Sequence, residues 1–171
     1  MTARVVAWLS EGTWPAVVDS VATVLEATKA SPEVVLLYAL DSQVGEAVHG
    51  AFGGLLGRGM RERDPGSAVT DAGRAAAAGL LEAARRRLGA PAELVVRTGR
   101  VEREVVAACA GADLLVCARD GDRSRLGPHS LGHHTRFVVD HAPCAVLLIW
   151  PDAAPGLGSI PPHPVDGPRA H

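Results

Sequence analysis

The sequence predicts an α/β domain of three layers, in which a doubly wound sheet of five parallel strands, in the expected order 3-2-1-4-5, carries helices on both faces. Three observations carry this. Five short runs are continuously apolar, not alternating, which is the pattern of strands buried on both faces. The segments between them repeat apolar residues at helical spacing. Strand and helix patterns also alternate as βαβαβαβαβ, and right-handed crossovers turn that order into a parallel sheet.

The first strand is expected over Val5 to Leu9, a short valine-rich run. Val17, Val21, Val24 and Leu25 then keep helical spacing, with Pro15 near the helix start, where a missing N–H costs nothing. "EVVLLYAL" (Glu33 to Leu40) is the second strand. A long helix follows on the stripe Val69, Ala72, Ala76, Leu80, Ala84 and Leu88, with Arg85, Arg86 and Arg87 on its solvated face. "AELVVRT" (Ala92 to Thr98) is the third strand, and Val101, Val105 and Cys109 stripe a third helix. "DLLVCA" (Asp113 to Ala118) is the fourth strand; His134, Phe137, Val138 and His141 mark the last helix, and "CAVLLIW" (Cys144 to Trp150) the fifth strand.

Two segments fall outside the alternation. Residues 44–67 form a glycine-rich insert, in which Val44, Val48, Phe52 and Leu55 keep roughly helical intervals, so a weak amphipathic helix or lid is expected there. Residues 151–171 are rich in proline and glycine and are expected to be a disordered tail. The domain proper is thus residues 1–150, one core within a chain of 171 residues of which 47% are hydrophobic.

Charge and cysteine content narrow the functional classes. A formal net charge of -2 offers no broad basic surface, so nucleic-acid binding by phosphate neutralisation is not expected. The three cysteines, Cys109, Cys117 and Cys144, lie among apolar neighbours and show no CxxC or Cys-His spacing suited to zinc, which fits a reducing cytoplasm. The apolar run near Met1 breaks at Ser10-Glu11-Gly12, too short for a signal peptide or a membrane span. No G-x-x-x-x-G-K-[ST] motif occurs, the sole lysine being Lys29, and no G-x-S-x-G elbow occurs either. No catalytic residue is assigned. His129, His133 and His134 lack an evident third ligand, so no metal site is expected.

In an open sheet of this kind ligands bind beyond the carboxyl ends of the strands. That brings Leu9 to Gly12, Ala39 to Ser42 and Ala118 to Gly132 around one crevice. The last of these is "ARDGDRSRLGPHSLG", a glycine-containing loop made locally basic by Arg119, Arg123, Arg125 and His129, leading into a helix whose N-terminal N–H groups suit a phosphate.

This loop, its helix and the closing "HAPCAVLLI" resemble the universal stress protein family, whose last third carries G-x2-G-x9-G-[ST] followed by a helix and a His-Ala-Pro-Cys-x-Val strand. The resemblance spans roughly Ala3 to Trp150 and implies the Rossmann-like, adenine nucleotide alpha hydrolase-like fold. It also implies a stress-response regulatory role with adenine nucleotide, ATP or AMP, as the ligand, and no metal beyond the Mg that accompanies a nucleotide. Carried over residue by residue, the contacts fall on Leu9 and Ser10, Ala39 and Leu40, Ala118, Arg119, Gly121, Gly132, His133 and His134. The match is imperfect. The aspartate of nucleotide-binding members becomes Leu9, the first loop glycine becomes Ala118, ten residues and not nine separate Gly121 from Gly132, and the closing Ser or Thr becomes His133. The reading is therefore weak or altered nucleotide binding by a non-catalytic module that dimerises through Cys144 to Trp150, without nucleic acid or membrane as partner. A ligand-free dimerising scaffold and a small-phosphate hydrolase are the alternatives.

Overall fold

The computed structural model describes residues 2–28, 31–43 and 65–162. The strands are β1 (Arg4–Leu9), β2 (Glu33–Asp41), β3 (Glu93–Gly99), β4 (Leu114–Ala118) and β5 (Ala145–Ile149). The helices among the described residues are α1 (Trp14–Thr28), α2 (Pro65–Leu88), α3 (Val101–Ala108) and α4 (His133–His141). The strands form one sheet in the order β3-β2-β1-β4-β5, every neighbouring pair parallel, as the alternating pattern predicts.

Continuous apolar runs arise here because the sheet is covered on both sides. On one face Val5, Ala7 and Leu9 of β1, with Leu36 and Val116, pack against Val17, Val18 and Val21 of α1 and Leu81 and Ala84 of α2. On the other, Val6 and Trp8 join Val35, Leu37, Leu115 and Cys117 against Val105 and Cys109 at the end of α3 and Val138 of α4. Residues alternate between faces along a strand. Both alternating sets of β1 are therefore apolar, and a charge at either would be buried without a partner. Burial also raises the Cys109 and Cys117 thiols to about 12.

Polar contacts on the rim fix the helices. Arg87 donates from Nε and one terminal nitrogen to the two Asp19 carboxylate oxygens at 2.7 and 2.8 Å, joining α2 to α1. That hydrogen bond holds the Asp19 carboxyl below its ordinary range. Arg85 pairs with Glu82 on the same helix. Trp8 is a core residue and Trp14 is half-buried, packed against the core beside α1. Among the described residues no helix is long and apolar enough to cross a membrane.

Most of the 44–67 segment lies outside the described residues, although α2 begins at Pro65, inside the span read as insert or lid. The proline-rich tail read over residues 151–171 is described only in part. Through residue 162 it is placed, with a turn of 3-10 helix at Leu157–Ser159; residues 163–171 lie outside the described residues.

Candidate nucleotide site

All five strands point the same way, so their carboxyl ends lie along one edge of the sheet, and the residues assigned to a site there divide into two groups. One group belongs to the core. Leu9 is 1% exposed and packs with α1, and Ala118 is also buried on that face. Ala39 packs on the opposite face, and β2 outruns β1 there, so Ala39 and Leu40 pair with Arg97 and Thr98 of the edge strand β3. The Leu40 side chain approaches Gly73 of α2. Ser10 serves the backbone, its carbonyl accepting from Trp14 N at 3.1 Å to start α1.

The second group is the loop from Arg119 to Gly132 with the start of α4, and it is folded onto itself. Gly121 N donates to Ser130 O at 2.9 Å, and Asp122 N donates to His129 O at 2.8 Å. These two bonds press the loop halves together, and a Cβ on Gly121 would lie 2.9 Å from the Ser130 and Leu131 carbonyl carbons, so only glycine fits this approach. Ser130 is completely buried; its hydroxyl donates to Gly127 O at 2.6 Å and accepts from the Arg119 guanidinium. The same guanidinium lies 4.8 Å from the centre of the Trp150 ring, a cation–π contact. Arg119 is thereby turned inward as a brace.

Gly132 is the N-cap of α4, as the sequence suggests, and its N–H is already engaged: it donates to Asp120 Oδ1 at 2.7 Å. A Cβ at Gly132 would meet the Asp120 carboxylate at 2.8–2.9 Å, so glycine is what admits the acid. A carboxylate at a helix N-terminus is favoured by the exposed N–H groups and the helix dipole, the same terms that favour phosphate. Asp120 therefore places one of the protein's own carboxylates at the start of α4.

The two histidines part company. His133 is exposed, whereas His134 turns toward α3 and places Nδ1 2.8 Å from Glu102 Oε2. Glu102 is 4% exposed and also lies 3.3 Å from Arg100 Nε. Its carboxyl is held below the ordinary range, first by a hydrogen bond from its own backbone N–H, then by His134 and Arg100, against the opposing effect of burial. Among the described residues no three His, Cys, Asp or Glu side chains are grouped to hold a metal.

Sequence reasoning did not single out Asp120 as a cap, Glu102 as a partner of His134, or Ser130 as a buried hydroxyl. A partial signal was present for Asp120, one of two acids flanking Gly121 in a loop that also carries Arg119, Arg123 and Arg125.

Comparison with known proteins bears on the fold. Three solved structures share the fold: a hypothetical protein, MJ0577, at 17% identity and TM-score 0.63, covering 90% of this chain and 99% of that one; a universal stress protein from Lactobacillus plantarum at 19% and 0.57, covering 86% and 97%; and a universal stress protein solved in complex with cAMP at 16% and 0.58, covering 88% and 98%. No curated protein sequence matches the chain. The model of the universal stress protein family matches residues 5–149, from the second residue of β1 to the last of β5, and the chain therefore belongs to that family.

Proposed function

We propose that this protein is a non-catalytic stress-response regulatory domain whose anion cradle is filled from within, so that ATP or AMP binds weakly or in an altered pose. The observation that carries this reading is the bond from Gly132 N to Asp120 Oδ1. A phosphate entering at the start of α4 must displace that carboxylate, or sit beside it against like-charge repulsion. Displacement forfeits a hydrogen bond to a charged group, about 1.5–3 kcal/mol, which weakens binding by roughly ten- to a hundredfold. Leu9 adds to the deficit, since the last side chain of β1 is apolar and buried in the core and offers a ribose hydroxyl no acceptor. Adenine nucleotide remains the ligand class favoured, because a relative of the same fold was solved with cAMP. Calorimetric titration with ATP and AMP tests the reading. Asp120→Ala is expected to bind tighter than the wild type by about that factor; a wild type that binds as tightly as the variant contradicts it.

Self-association through β5 is the second part of the proposal. The strand lies at the sheet edge, carries no charged residue, and leaves Val146 to Ile149 only half-buried with β4 as its single strand neighbour. Long apolar edges invite pairing and are normally covered. Light scattering on the full chain should give a dimer mass, and Val146→Pro, which removes a donor, should lower it. A monomeric wild type at high micromolar concentration contradicts this part.

A further inference from the structure

The segment after β5 crosses the glycine loop and grips it at several points. Trp150 lies under the Arg119 guanidinium, Asp152 Oδ2 is 3.3 Å from Arg123, and Ser159 Oγ accepts from Leu126 N at 3.0 Å. The contacts run in the same order along both segments. Pro151, Pro155 and Ser159 are half-buried, while the residues between them are exposed, so every fourth residue of the tail faces the domain.

The three contacts differ in weight. The Arg123–Asp152 pair is exposed at both ends, 39% and 75%, so solvent screens it heavily. The Ser159 hydroxyl is better placed, because it donates to Gly156 O at 2.6 Å while accepting from Leu126 and is thereby held in line. Leu126 belongs to the loop whose two halves are joined through Gly121 and Asp122, and whose first residues carry Asp120 to the start of α4. Anything that fixes Leu126 therefore restricts the movement by which Asp120 would leave Gly132.

We propose that residues 150–159 act as an intramolecular strap that holds the 119–132 loop in its self-filled form, so that release of the strap opens the cradle to an anionic ligand. The coupling to ligand rests on the role given above to Asp120; the ordering of the loop does not. If closed and open loops are in equilibrium, weakening the closed form raises apparent ligand affinity by up to the same factor.

The test uses the full chain as wild type, Ser159→Ala and Ser159→Thr, with residue-resolved amide hydrogen exchange and ATP calorimetry on each. Ser159→Ala should speed exchange at Leu126, Gly121 and Asp122 together by roughly five- to tenfold, the worth of one hydrogen bond. Ser159→Thr, which keeps the hydroxyl, should restore protection. ATP should bind Ser159→Ala more tightly by up to the same factor. Faster exchange at Leu126 alone, or no change at any of the three amides, overturns the strap. Faster exchange at all three without tighter ATP binding, in a protein where Asp120→Ala does tighten it, overturns the link between strap and cradle. If Asp120→Ala itself fails to tighten binding, it is the cradle reading that has failed, and the exchange rates alone then decide for or against the strap.

Discussion

Replacing His134 with alanine strips the carboxylate of Glu102, a residue only 4% exposed beside the intact histidine, of its 2.8 Å partner on α4. Arg100 at 3.3 Å and the residue's own backbone N–H remain, so the charge is under-satisfied but not orphaned. A hydrogen bond to a charged group contributes about 1.5–3 kcal/mol, and the lower end applies here because the His134 side chain is itself 42% exposed. His134→Ala should therefore cost about 1.5 kcal/mol, close to a tenfold loss in the folding equilibrium. Glu102→Gln retains the side-chain shape but removes the charge that His134 pairs with. Urea unfolding of both single variants and the double variant at neutral pH forms the cycle that isolates the pair. Costs that add to within about 0.5 kcal/mol would refute the coupling and reduce this contact to two neighbouring solvated groups. The same pair gives a signed pH dependence. Because the Glu102 carboxyl is held below its ordinary value of 4.5 in the folded protein, its contribution is present above that pH and is lost as pH falls below it through the folded-state value. Glu102→Gln should accordingly show a shallower loss of stability below pH 4.5 than the wild type.

Further outcomes follow from packing and burial. Gly121→Ala should cost about 1–3 kcal/mol in urea or thermal unfolding, because the atoms a Cβ would meet are backbone at Ser130 and Leu131 and cannot swing aside. Leu36→Ala, emptying a fully buried position in the middle of the sheet, should cost about 2–5 kcal/mol, and a smaller loss would mean the core collapses into the space. Cys109 and Cys117, with thiols pushed up to about 12 and no exposed surface, should resist a thiol reagent at neutral pH until denaturant is added, whereas the partly exposed Cys144 should react first. Rapid labelling of all three cysteines in native protein would contradict the burial described.

The fold was legible because its signals are local and repeated. Each apolar run became a strand with ends within a residue or so, and covering on both faces explains why those runs do not alternate. The start of α4 at Gly132 was legible for the same reason, since a glycine before a helical stripe marks a cap. The site was less so, because its decisive contacts join residues far apart in sequence with no period to betray them. Asp120 and Gly132 are 12 apart, Glu102 and His134 are 32 apart, and Leu126 and Ser159 are 33 apart. Leu9 illustrates the division. Its apolar character could be read as a lost acid at the end of β1, but only the packing reveals a side chain built into the core, where a restored aspartate would be a buried charge.

In the proposed function the Asp120 carboxylate holds the Gly132 amide that a phosphate would need. The measurement closest to it follows the backbone resonances of Gly132, His133 and His134 by NMR as ATP is added to wild type and to Asp120→Ala. In the variant these amides are expected to move first and furthest, at ATP concentrations that leave the wild-type Gly132 resonance in place. Movement of the wild-type Gly132 resonance at the same concentrations as in the variant would contradict it.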